Sequence, residues 1–269
     1  MIIRSFFICL LVITVSAFLS SCLVSSTTTS QAKSTTEVNS NNNNNGRQTI
    51  VRKAPALLEE VQADTLKFEP DPYSSLVEME TKFGVMKIEL FFDAEKHREN
   101  FLKLAKAAYY DSLMFHRVIK NFMAQGGDSK SRYAKKNQRL GSGIAGYQLD
   151  NEIGQHFYHV KGALAAARQP DELNPDKKSS SSQFYIVQGA SVNTEQLDKN
   201  ERKYDIVYTE KQRELYNKLG GSPQLDMEYT VFGRVYEGIE LIDSICYKPT
   251  DAYARPLEDL RFKVRVIRD

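Results

Sequence analysis

The 269-residue chain has no tryptophan, three cysteines, four histidines and a formal net charge of only +2. Each shortage closes a route. Phosphate binding needs lysine and arginine gathered on one face, whereas here both signs interleave along almost the whole chain, which sets nucleic acid aside as a partner. Cys9, Cys22 and Cys246 have no metal-binding spacing. Long apolar runs are scarce too, and the one at residues 6–18 is short for a bilayer span. With 41% apolar and 26% charged residues, the chain as a whole has the composition of an ordinary folded protein.

The apolar run follows Arg4 and ends in Leu19-Ser20-Ser21-Cys22. Such a leader resembles the bacterial lipobox, in which the cysteine becomes the lipidated first residue. Three parts are therefore expected: a signal peptide over 1–21, a tether over 22–72 that begins at lipidated Cys22, and a folded domain over 73–269. The tether is rich in Ser, Thr and Asn, including a run of five asparagines at 41–45, and has too little to bury to offset its ordering entropy. A short helix over 55–61 is expected within it. Cleavage would leave Cys246 without a partner for an intrachain disulfide. The protein is therefore expected in the bacterial cell envelope, held to a membrane by its lipid and facing the periplasm.

Within the domain, residues 77–81 and 85–91 alternate apolar and polar around Lys82-Phe83-Gly84, the pattern of a β-hairpin. Asp93 is placed to cap a helix whose apolar positions Phe101, Leu102, Leu104, Ala105 and Ala108 recur at helical spacing. Short strand-like runs follow at 114–119, 122–125, 163–167, 184–187, 230–235 and 261–267. Many short strands with few helices point to a β-barrel or sandwich. Residues 192–223 break this rhythm. They are charged and helical, and Thr209 with Gln212 reads as a capping box for a helix that stops at Gly220-Gly221. The segment is expected to be a helical surface insertion that could be deleted without unfolding the domain.

Residues 115–128 read Phe-His-Arg-Val-Ile-Lys-Asn-Phe-Met-Ala-Gln-Gly-Gly-Asp. This stretch closely resembles the signature of cyclophilins, the peptidyl-prolyl cis-trans isomerases. Residues 162–168, 182–187 and 229–235 resemble three further motifs of that family, in the family's order. The resemblance implies a mainly β fold, a closed eight-stranded antiparallel barrel with two flanking helices, and a substrate groove on its outside. It implies rotation about X-Pro bonds, with no cofactor and no metal. By position, Arg117 matches the catalytic arginine and Gln125 the glutamine beside it. Phe122, Met123, Tyr185 and Leu225 match the proline pocket, Ala167, Arg168 and Gln183 the positions that hold the peptide backbone, and Gly141 and Ser142 the neighbouring loop, while Tyr229, where a histidine is common, is counted among the substrate-binding residues. His116 matches a histidine without acid-base work. Tyr185 stands where a phenylalanine is common, so its hydroxyl is expected to make the pocket wall slightly more polar. Gln224 stands where many members carry a tryptophan.

Two other patterns carry less. Residues 141–146 spell G-x-G-x-x-G, but no strand leads in and no helix opens there. His156 and His159 lack nearby cysteines or paired acids, so a structural role is expected. The expected partners are proline-containing peptides and unfolded exported proteins, with the chain acting as a monomer. The alternative is a chaperone-like module that holds proline segments with little turnover.

Overall fold

The computed structural model describes residues 68–154 and 157–269. The leader, Cys22, most of the tether with its expected helix, and His156 lie outside the described residues. Strand β1 (Ser75–Thr81) turns at Lys82-Phe83 into β2 (Gly84–Leu90), pairing Thr81 with Gly84. The Thr81 hydroxyl donates to the Gly84 carbonyl and accepts from the Phe83 N–H, while Gly84 sits at φ +137°, which a side chain would resist. Val77, Met79, Met86, Ile88 and Leu90 point inward, as the alternation requires.

Helix α1 (Glu95–Lys106) buries Phe101, Leu102, Leu104 and Ala105, as expected, but its start and end differ from the sequence reading. Asp93 is not the cap. The Glu152 carboxylate, far along the chain, accepts the N–H groups of Lys96 and His97 at 2.9 Å each. Ala108 lies beyond the helix, exposed, at φ +51°.

The chain continues through β3 (Leu113–Met114), β4 (Arg117–Ile119), β5 (Met123–Gly126), β6 (Gln148–Leu149), β7 (Ala163–Ala166), β8 (Ser179–Ser180) and β9 (Phe184–Val187). Then come α2 (Thr194–Tyr204), α3 (Glu210–Leu219), β10 (Val231–Glu237), α4 (Leu241–Cys246) and β11 (Arg261–Arg268). Nine strands form one antiparallel sheet in the order β3-β11-β1-β2-β10-β7-β9-β5-β4, while β6 and β8 make a separate ribbon. The expected closed eight-stranded barrel is thus a strongly curled half-barrel among the described residues, open between β3 and β4, with four α-helices. The break has a local cause. Phe115 donates its N–H to Leu260 and the next residue, His116, donates to Gln125, so the extended run expected at 114–119 passes from one sheet edge to the other and splits in two.

The sheet and α1 enclose a core in which Phe101, Tyr110, Phe115, Phe184, Phe232 and Phe262 meet largely edge-on or tilted. Residues 192–223 are helical, and α3 carries the expected capping box of Thr209 and Gln212 and ends at Gly220. A second box, Asn193 with Gln196, starts α2. The segment is more than a surface addition, because Leu197, Ile206, Tyr208, Leu215 and Tyr216 join Val160 in a buried cluster of their own.

Candidate active site

In the β4–β5 ladder Arg117 stands opposite Gln125. Val118 and Ala124 face the core, so Arg117 and Gln125 emerge together on the outer face. The next pairings, Gln125 with Tyr185 and Tyr185 with Ala165, carry that face across β9 to β7. Its floor consists of Ala163, Ala165 and Ala167, with Met123, Tyr185, Val187 and Val231 around them and Phe122, Leu225 and Tyr229 at the margin. Three alanines in a row among larger side chains put little side-chain volume on this stretch of the face.

A chain of hydrogen bonds borders this apolar patch. The Gln183 amide N–H₂ donates to the carbonyls of Gly141 (3.0 Å) and Gly143 (2.7 Å). Its oxygen must then face Gln125, whose N–H₂ donates to it at 3.0 Å. The Gln125 oxygen is left to accept from Arg117 at 3.3 Å. Both amide orientations are thereby fixed, and the guanidinium is held at one corner with most of its donors unspent. Protein atoms around Arg117 lower its pKa by desolvation, yet an arginine stays charged at neutral pH.

Asp128 anchors the loop beneath. Its carboxylate accepts from the backbone of Lys130 (2.7 Å) and Gly141 (2.5 Å). Gly127 precedes it at φ +88°, where a Cβ would fall 1.9 Å from the Ser182 carbonyl, so only glycine fits. Residues 141–146 thus form a loop packed on Gln183. Ser142, next to Gly141, receives the Lys130 ammonium at 3.0 Å. His116 is buried, and desolvation lowers its pKa to about 4.

Arg168 has its side chain committed elsewhere. Its guanidinium lies 4.5 Å above the Tyr229 ring and bonds the Glu228 carbonyl (2.9 Å) and Asp171 (2.5 Å). Only its main chain is left for a peptide. Ala167 donates its N–H to Gln183 and accepts from Ser180. All twelve residues singled out within the domain lie on this one face or its rim.

The model of the family "Cyclophilin type peptidyl-prolyl cis-trans isomerase/CLD" matches residues 76–266. The chain belongs to this family. A Staphylococcus epidermidis protein named as a peptidyl-prolyl cis-trans isomerase is 33% identical over 207 residues, covering 77% of this chain and 93% of its own. A Streptococcus pyogenes protein named as a bifunctional phosphatase and peptidyl-prolyl cis-trans isomerase is 33% identical over 189 residues, which span 68% of this chain and 37% of that one. The crystal structure of a Cryptosporidium parvum cyclophilin-type isomerase superposes with a TM-score of 0.53 at 25% identity, covering 73% of this chain and 99% of the other.

This cyclophilin has a polar layer under its pocket that sequence reasoning missed. His159 is fully buried and structural, as expected. Its Nδ1 lies 2.8 Å from Asp226, which also accepts the His159 backbone N–H at 2.8 Å. A carboxylate only accepts, so Nδ1 carries a proton towards it, and Nε2 meets the Tyr185 hydroxyl at 2.9 Å. The other Asp226 oxygen accepts the hydroxyls of Tyr208 and Tyr216 at 2.6 Å each, and Asn200 of α2 donates to Tyr208. The Tyr185 hydroxyl therefore points away from the groove, and the expected increase in pocket polarity does not occur. Gln224 is exposed in the short turn over Pro223–Leu225.

Proposed function

We propose that this cyclophilin isomerises X-Pro bonds in exported proteins, as a monomer held in the bacterial envelope by a lipid on Cys22, with Arg117 as its catalytic residue. The observation that carries the reading is the unspent Arg117 guanidinium, fixed by Gln125 beside an apolar patch floored by alanines. Amide rotation is slow because the nitrogen lone pair is shared with the carbonyl, a barrier of about 18–20 kcal/mol. At the twisted transition state the prolyl nitrogen recovers that pair and accepts a hydrogen bond, which planar ground states do not, so a donor placed there stabilises the transition state selectively. No bond is made or broken, and the reaction calls for no nucleophile, acid or metal.

Raising the exchange rate from about 10⁻² to about 10 s⁻¹ takes roughly 4 kcal/mol. A hydrogen bond from a charged donor supplies about 1.5–3 kcal/mol. The remainder falls to the pocket, where Phe122, Met123, Leu225 and Tyr229 hold the proline ring while Arg168 main chain and Gln183 align the peptide. The test is an isomerase assay on a proline tetrapeptide with wild type and Arg117→Ala. The variant keeps its melting temperature and loses most turnover. Equal turnover would remove Arg117 from the mechanism, and a wild type that binds proline peptides without turnover would favour the chaperone-like alternative. Radiolabelled fatty acid should enter the wild type and not Cys22→Ala.

A further inference from the structure

Beside Arg117 lies a pocket of about 350 Å³. It opens between the loop carrying Asn137 to Gly141 and the turn carrying Asp251 to Arg255, with His116, Arg117 and Gln125 on its inner side. Its charge is unbalanced. Arg139 lies 5.2 Å over the Tyr253 ring and has no carboxylate partner among the described residues. Arg117 spends one donor on Gln125. Arg255 spends three of its five N–H groups on the Lys135 and Gln138 carbonyls and Asp259, and holds the two loops together. The one carboxylate in the lining, Asp251, is tied to the backbone N–H groups of Tyr253 (2.8 Å) and Arg255 (3.0 Å).

The second observation is His116. It is 4% exposed, it lines this pocket, and both its ring nitrogens are shielded from solvent. A Cβ on Gly141 would lie 4.0 Å from its Nε2, so the ring packs beneath the Gly141 loop and closes the pocket's inner wall. With a pKa lowered to about 4 by burial, the ring is neutral and brings no charge to that wall. Two guanidiniums with free donors beside a neutral inner wall suit an anion with planar geometry, which arginine recognises through paired donors.

We propose that this pocket is a subsite for an Asp or Glu side chain of the substrate, within about two residues of the X-Pro bond, so that this isomerase prefers acidic surroundings. The proposal rests on the assignment of Arg117 to the prolyl nitrogen, because the two pockets share that residue. Successive residues of an extended peptide advance about 3.3 Å, which sets the limit of two residues. The contact is made equally with planar and twisted amide, so it lowers KM and leaves kcat alone.

The experiment compares matched proline peptides that carry Glu or Gln at each of the two positions on either side of the X-Pro pair, with wild type, Arg139→Gln and Arg139→Lys. At low ionic strength the wild type should favour Glu over Gln at one position by about three- to tenfold in kcat/KM, through KM, and added salt should shrink the ratio. Arg139→Gln should bring the ratio to about one, and Arg139→Lys should restore part of it. Thermal melting of each variant reports whether it is folded. A ratio of one at every position in wild type, or the same ratio in Arg139→Gln, would overturn the subsite. Inorganic phosphate that binds wild type but not Arg139→Gln, with no Glu preference, would also overturn it and assign the pocket to a free anion. Failure of wild type on the Gln peptides would instead count against the isomerase reading itself.

Discussion

Removing the hydroxyl of Tyr216 should destabilise this protein far more than so small a change usually does. Phenylalanine fills the same volume, so Tyr216→Phe opens almost no cavity. What is lost is a buried 2.6 Å hydrogen bond to the Asp226 carboxylate. Hydrogen bonds to charged groups contribute about 1.5–3 kcal/mol, which for about 200 folded residues lowers the melting temperature by about 4–10 °C. Tyr208→Phe should behave alike, since its hydroxyl reaches the same oxygen at 2.6 Å. Together they strip that oxygen of both hydroxyl donors, and the cost should approach the roughly 3–5 kcal/mol of an uncompensated buried charge. A purely structural effect would stop at stability. Here Asp226 orients His159, which holds the Tyr185 hydroxyl, so KM for proline peptides should rise in the variants while kcat holds. Losses below about 0.5 kcal/mol in both single variants, within the range of ordinary surface substitutions, would refute the account. The same reasoning reverses the expectation for residues 192–223: a Gly-Ser bridge in their place would remove Asn200, Tyr208 and Tyr216 at once and should unfold the domain.

Two further predictions concern groups outside this layer. Glu152→Ala deprives α1 of the acceptor for two first-turn N–H groups. A cost of about 1–2 kcal/mol is expected, read by urea unfolding, and no change would show that water replaces the carboxylate freely. His116 gives a signed pH dependence. Burial lowers its pKa from the usual 6.5 to about 4, against a smaller upward pull from Asp128. As pH falls through this window the unfolded chain takes up a proton that the folded chain refuses, so stability drops, by about 3 kcal/mol when complete. Urea unfolding at several pH values should show a steeper acid loss in wild type than in His116→Gln, and parallel curves would refute the assignment. Turnover should stay flat between about pH 6 and 9, because Arg117 remains charged throughout, and a bell-shaped profile would point to an acid-base pair.

Features coded by local period were legible in the sequence, and features that depend on a distant polar partner were not. The β1–β2 hairpin follows from alternation and one glycine. The outward pair of Arg117 and Gln125 follows from the same alternation, with Val118 and Ala124 turned inward. By contrast, Asp93 looked like the cap of α1 because it is nearby, and nothing local identifies Glu152. The break between β3 and β4 depends on Leu260 and Gln125, two acceptors on opposite edges of the sheet. Residues 192–223 read as a charged appendage because their few aliphatic side chains suggest only a docking stripe, and phenols that satisfy a buried carboxylate look in sequence like ordinary surface tyrosines.

The groove shows what such hidden partners change. Judged by composition, a tyrosine in place of phenylalanine at position 185 adds polarity to the pocket wall. His159 draws that hydroxyl into the interior at 2.9 Å, leaving the ring to face the apolar cluster. The polar addition therefore serves the joint with α2 and α3, and the proline pocket keeps its apolar character. Any departure in substrate choice must then come from the rim, where charge remains unspent. Arg168 is neutralised by Asp171 and Glu228, whereas Arg139 has no such counterweight among the described residues. The sequence places both arginines near the motifs, and only the three-dimensional arrangement shows that one is paired with carboxylates and the other lies over the Tyr253 ring without one among the described residues.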